Sequence, residues 1–229
     1  LDLMKMRWLH ILGINLTAGI IGIGAGLSLG REGPSIQLGA VAAQGVSRLM
    51  GRTRMEERYL LTSGASAGLA AAFNAPLAGV IFALEELHRN FSIMVLLPSM
   101  AAAFTATIIS RAIFGRATIF DIPDLQLLPI GYYGIVILVA LASGLAGVIF
   151  NWGLLNIGRF YSLPCFKRPV EKIAFALICA GILGYFLPEV LGGGNDLINH
   201  LAKAPVPLQL LLLFLAGKLI FTLISYACG

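Results

Sequence analysis

Gly30, Arg31, Glu32, Gly33 and Pro34 place two charged side chains and two backbone-shaping residues inside an otherwise apolar run. Pro34 suits the first turn of a helix, where its missing N–H is not needed, and Gly33 lets the backbone turn sharply and come close to a ligand. The pattern predicts a helix from here to about Ser47. The first amides of such a helix have no intrahelical partner and sit at the positive end of its dipole, which is the chemistry of an anion site. Glu32 stands at that mouth. A tethered carboxylate is itself an anion, competing for the amides while ionised and leaving them when protonated. One residue would then couple protons to anions. In a soluble loop Glu32 would simply cap the helix and pair with Arg31. Within a membrane segment, the cost of an ionisable group makes function the default reading.

Other constellations carry less. Gly64 to Gly68 reads G-x-S-x-G around Ser66, and Asp121, Asp124, Asp196 and His200 follow in the order of some hydrolases. A nucleophile elbow needs a strand before its serine, whereas Ser66 falls in a helical apolar run, so an enzyme is not expected. "GGGND" at Gly192 to Asp196 lacks the Lys-Ser or Lys-Thr of a phosphate loop and reads as an extracellular turn. His10, His88 and His200 are too scattered to be metal ligands. Cys165, Cys179 and Cys228 have neither paired spacing nor a neighbouring His, which excludes a disulfide frame and a zinc site. No cofactor is expected.

The elements that must position Glu32 are membrane helices. Only 12% of residues are charged, about half the ~25% of soluble domains, and the mean hydropathy is +0.89. Trp8 to Leu29, Tyr59 to Leu84, Phe91 to Ser110 and Leu125 to Gly158 contain no Asp, Glu, Lys or Arg. Each reaches the ~20 residues that cross a bilayer as helix. The net charge of +5 lies in short loops and orients the chain; it makes no face for nucleic acid. Loop 48–58 carries four Arg and two Glu, and loop 159–172 carries four Lys or Arg and one Glu; both are expected in the cytoplasm. Segment 111–128 is neutral, with two Arg and two Asp, and is expected outside. The chain lacks an initial Met and stops just after an apolar run, so a piece of a longer protein is expected.

For this topology to close, Tyr59 to Glu86 must go out and back as two half-length helices broken near Asn74 and Pro76. Discontinuous helices leave their ends at membrane depth, where transporters expose them to ions. Glu85 and Glu86 end the hairpin on the cytoplasmic side, where one of them could pass protons inward and the other be an ordinary solvated glutamate. Leu125 to Gly158, at 34 residues, is expected to run tilted after a turn marked by Pro129, Gly131 and Gly134. Gly22, Gly26 and Gly30 recur every fourth residue and are expected to make a smooth face for helix packing. The fold class expected is all-α, a polytopic integral membrane protein of tilted and broken transmembrane helices.

Together, "GREGP" at Gly30 to Pro34, "GLAAAFNAPLAGVIFALEE" at Gly68 to Glu86 and "GKLIFTLISYACG" at Gly217 to Gly229 resemble the CLC family of chloride channels and chloride/proton exchangers. The resemblance implies part of that family's inverted-repeat fold. Residues 1–115 would be the latter part of the first half-repeat, 116–128 an external linker, and 129–229 the first part of the second half-repeat. It further implies chloride/proton antiport across a lipid bilayer, with Glu32 as external gate, Glu86 as internal proton-transfer residue, and Arg31, Glu32 and Gly33 flanking the anion. Chloride and protons would be the ligands and a homodimer the full-length assembly. Family channels usually lack a glutamate at the position of Glu86, so its presence favours exchange over a passive, voltage- or pH-gated channel. In the family a serine in a "GSGIP" loop, amides of a "GxFxP" loop and a late tyrosine also hold the central anion. None of these is in this chain, which is therefore expected to provide one flank of the pathway and not to transport alone.

Overall fold

The computed structural model describes residues 7–89, 91–115, 129–163, 166, 168–203 and 206–228. Among them the secondary structure is helical and there is no strand. The chain divides into two compact units, Leu1–Ile21 with Gly30–Ile119, and Gly22–Leu29 with Phe120–Gly229. The chain thus leaves the first unit within its first helix and returns at Gly30.

The first unit holds most of α1 (Trp8–Gly24), then α2 (Glu32–Leu49), α3 (Arg54–Phe73), α4 (Pro76–Phe82) and α5 (Ile93–Phe114). α4 continues directly into a π-helix, Ala83–His88. α2 packs along α3 by backbone against backbone. A methyl group placed on Gly39 would strike the Gly64 carbonyl, and one on Gly68 would strike the Ser35 carbonyl. The "GASAG" stretch is therefore a small-xxx-small seam of the kind that lets membrane helices approach closely. Ser66 is buried in mid-helix, its Oγ donating to the Ser99 carbonyl of α5 at 3.5 Å. Among the described residues no strand precedes it, and it lies inside α3, so the hydrolase elbow is not formed; Asp121 and Asp124 lie outside the described residues.

Two other readings need correction. Thr53 and Glu56 form a reciprocal capping box, with the Thr53 amide donating to Glu56 Oε2 at 2.9 Å and the Glu56 amide donating to Thr53 Oγ1 at 3.4 Å. The Thr53 amide and hydroxyl, both donating to the Glu56 carboxylate at 2.9 Å, hold that carboxyl below its ordinary value. The box starts α3 at Arg54 inside the supposed loop 48–58, which shrinks to residues 50–53. The first limb of the broken hairpin is therefore 20 residues long, about 30 Å, and not half-length. The break itself falls where expected, at Asn74 in the left-handed region (φ 56°), and the second limb is short.

The other correction concerns Gly22, Gly26 and Gly30. α1 stops at Gly24, and Gly26 takes φ 80°. Its amide donates to Ile23 O at 3.0 Å, and the Leu27 amide donates to Gly22 O at 3.3 Å. This pair of bonds is a Schellman cap. The spacing reflects how the helix ends; Gly30 lies outside any helix.

In the second unit Pro129 precedes a 3-10 turn, Ile130–Tyr132, that leads into α6 (Tyr133–Phe160). Gly131 and Gly134 are taken up in that helical run. α7 (Pro169–Phe186), a 3-10 turn at Pro188–Val190, α8 (Asn195–Lys203) and α9 (Leu208–Ala227) follow. Leu27, Tyr161, Ala176, Ala180, Val190, Phe214 and Phe221 form its core. The Ser28 amide donates to Ser225 Oγ at 3.1 Å, and Ser28 Oγ lies 2.8 Å from Thr222 Oγ1. The Gly192 amide donates to Gly26 O at 3.0 Å. Tyr161, between α6 and α7, donates its hydroxyl to Ile224 O at 3.1 Å, and burial pushes the phenol up to about 12. Cys179 and Cys228 are free thiols, and Cys165 is outside the described residues.

Ile93–Phe114, Ile130–Phe160, Pro169–Phe186 and Leu208–Ala227 are each long and apolar enough to cross a membrane. α6 has no buried residue and is apolar all round, a surface suited to hydrocarbon. The protein is an integral, multi-pass membrane protein.

Candidate functional site

The site begins where α2 begins. Arg31 has helical backbone angles (φ −78°, ψ −12°), and its carbonyl opens the hydrogen-bond ladder. The Ser35 amide donates to it at 3.1 Å and Ser35 Oγ donates to it at 2.8 Å. Glu32 and Gly33 are the first helical residues, and Pro34 contributes no N–H. The amides of Glu32 and Gly33 are therefore the donors that the first turn presents. Glu32 is half-buried, whereas Arg31 and Gly33 are exposed. A Cβ at Gly33 would meet no atom within 4 Å. Among the described residues the ion pairs are Arg48–Glu57 and Arg52–Glu56, and none joins Arg31 to Glu32. Arg31 instead borders a cavity of about 660 Å³ that Ser35, Asn74 and Arg111 also line.

Glu85 and Glu86 lie in the first turn of the π-helix, and both are exposed. A π-helix is rare and tends to occur at functional positions. Glu85 faces a cavity of about 440 Å³ with Ile81, Arg89 and Phe91. α3 packs against both α2 and the π-helix, so it stands between the elements that carry Glu32 and Glu86. A further cavity of about 450 Å³ is bordered by Asn15, Ile36, Gln37, Thr62 and Leu87. It extends from the residue after Glu86 to Ile36, one turn along α2 from Glu32. Asn15, Gln37 and Thr62 give its apolar wall the hydrogen-bonding groups that could order water.

The structure thus keeps Arg31, Glu32 and Gly33 on one helix start and Glu86 on a separate element. At the opposite end of α2, Glu57 is buried and accepts from Gln44 Nε2 at 3.0 Å and from Arg48 Nε at 3.1 Å. Sequence reasoning missed Glu57, Ser35 and Gln37. Only Glu57 carried a signal, since it lies four residues past the Thr53 cap and nine from an arginine of opposite sign. No group of His, Cys, Asp and Glu among the described residues could hold a metal ion.

The model of the voltage gated chloride channel family matches residues 2–229. The chain is similar to the H(+)/Cl(-) exchange transporter ClcA of Citrobacter koseri, at 34% identity over the whole chain and 50% of the relative. It is 33% identical to the protein of the same name from Salmonella agona, again covering 50% of it. Among solved structures it resembles a slow cyanobacterial Cl−/H+ antiporter, with TM-score 0.85, 30% identity and coverage of 98% of this chain and 53% of that one. It also resembles a CLC-type fluoride/proton antiporter, with TM-score 0.72, 26% identity and coverage of 96% and 59%. The chain spans about half the length of the curated relatives it matches.

Proposed function

The chain belongs to the voltage gated chloride channel family, a family of ion-transport proteins and not of enzymes, and on that premise we propose that the protein exchanges chloride for protons. The observation that carries this reading is Glu32, a carboxylate in the first turn of a helix beside Gly33, where an added Cβ would meet no atom within 4 Å. While ionised, Glu32 occupies the leading amides of that helix as a tethered anion; protonated, it leaves them to chloride. Arg31 adds positive charge at the same end.

Glu86 is the proton-transfer residue of this reading. The basic residues of 48–58 and 159–172 assign its end of the hairpin to the cytoplasm, and 111–128 to the outside. The cavity from Leu87 to Ile36 gives protons a route distinct from the anion's, so the two ions share only the outer part of the path. In the same reading residues 1–115 and 129–229 belong to successive inverted halves joined by 116–128, and the assembly is a homodimer. The similar proteins named as exchange transporters and antiporters support exchange.

Reconstitution of the full-length protein tests the reading. An inward chloride gradient should drive protons out of the liposomes against their own gradient. Chloride flux without any proton movement would replace exchange with the passive channel.

A further inference from the structure

Ser35 and Gly68 are not among the residues that touch ions in the reading above, yet the geometry of α2 runs through them. The Arg31 carbonyl belongs to the peptide that joins Arg31 to Glu32, and it accepts both the amide and the hydroxyl of Ser35, at 3.1 and 2.8 Å. The carbonyl of Ser35 in turn rests on Gly68 of α3, where any Cβ would overlap it. Ile36 Cα lies 3.3 Å from the same position. Two consecutive supports therefore run from the α3 backbone to the peptide of Glu32: the seat of the Ser35 carbonyl on Gly68, and the two bonds from Ser35 to the Arg31 carbonyl. One seam residue away, Gly64 faces Gly39 and Ala43, about one and two turns further along α2 than Ser35.

We propose that Gly68 and Ser35 are positioning residues for Glu32, fixing how far its first-turn amides and carboxylate project from α3. This rests on Glu32 being the gate. A gate works by placing a carboxylate on, and then off, the same donors that hold the anion, so an error of about 1 Å in the helix start can cost up to about 100-fold. Gly68→Ala would push the Ser35 carbonyl, and with it the helix start, off α3. Ser35→Ala would leave the packing intact and remove one of the two bonds to the Arg31 carbonyl. Gly64→Ala would disturb the same helix pair but press on the middle of α2.

The test uses the full-length protein in liposomes, with H+ and Cl− fluxes measured together from pH 4.5 to 7.5 and thermal unfolding in detergent measured alongside. Gly68→Ala and Ser35→Ala should lower the ratio of H+ to Cl− moved by severalfold and displace the pH profile of chloride flux. In a Glu32→Gln background neither should change the flux further. Gly64→Ala should lower the unfolding temperature as much as Gly68→Ala yet keep the wild-type ratio. The proposal is overturned if Gly64→Ala and Gly68→Ala change the ratio equally, since the seam would then act only through general packing. It is also overturned if Ser35→Ala, the variant least able to disturb folding, leaves both ratio and pH profile unchanged. The Glu32→Gln arm separates this from failure of the gate itself. Coupling that persists in Glu32→Gln alone removes the gate and the proposal with it, whatever Gly68 does.

Discussion

Arg111 Nε donates to Asn74 Oδ1 at 2.6 Å, tying the last turn of α5 to the break between α3 and α4. Asn74 is also one of two non-glycine residues with positive φ among the described residues, the other being Arg89. It does two things at once, adopting a left-handed conformation that ends α3 and presenting an acceptor to a cation.

The two roles can be separated by substitution. Asn74→Gly keeps the conformation and loses the acceptor, which should cost about 0.5–1.5 kcal/mol. Asn74→Ala loses both and should cost about 1 kcal/mol more, because a Cβ is strained in the left-handed region. Unfolding midpoints in detergent rank the three proteins; an alanine variant as stable as the glycine variant would show that the conformation at the break is not fixed.

Glu32→Gln imitates the protonated side chain at the start of α2. In the full-length protein chloride should still move, while its pH dependence and the coupled proton flux disappear. Liposome flux assays across the acidic range decide this, and wild-type coupling in the variant would remove Glu32 from the mechanism.

Glu86→Ala should act differently, because the carboxylate lies on the π-helix, away from the α2 amides. Proton movement should stop while chloride flux persists with its pH dependence intact. Replacing Glu85 in the same way should leave both fluxes near wild type. If the two substitutions have reversed effects, Glu85 is the proton carrier.

Tyr161 gives the second unit an alkaline limit. The phenol ionises at an ordinary 10.0 in the unfolded chain and at about 12 when folded, chiefly because of burial. Between these values the unfolded state releases its proton first, so stability falls as pH rises through that window. Tyr161→Phe should lose about 1 kcal/mol at neutral pH with the bond to Ile224 O, and should show a flatter decline above pH 10. Thermal unfolding followed from pH 8 to 11.5 measures both effects; parallel profiles would mean that Tyr161 has no part in the alkaline loss.

The start of α2, the break at Asn74 and the turn at Pro129 were legible because each depends on residues whose backbone chemistry is local. Pro34 can begin a helix but not sit inside one, and Asn74-Ala75-Pro76 cannot continue one. The glycines were not legible in the same way. Gly22 and Gly26 look like a packing face, but they are two ends of a Schellman cap; the string is identical, and what differs is where α1 stops. Gly64 and Gly68 look like a nucleophile elbow, but they face Gly39 and Ser35. Close approach is a property of two helices, and a single sequence writes them in separate places. The length of α3 was misread because Arg54, Glu56, Glu57 and Arg58 seemed too polar for a membrane helix. The Thr53–Glu56 cap makes them its first residues all the same.

The bond from the Ser28 amide to Ser225 Oγ spans 197 residues. At about 5–20 residues per second a ribosome needs about 10–40 s to make that stretch. During this interval the residues of α1 and its Schellman turn have been made, but the hydroxyls that hold Ser28 have not yet been synthesised. Non-local contacts of this kind also form late because loop closure must come first. The backbone just ahead of α2 is thus among the last to be fixed, and until α9 has been made the Ser28 amide lacks the hydroxyl that holds it.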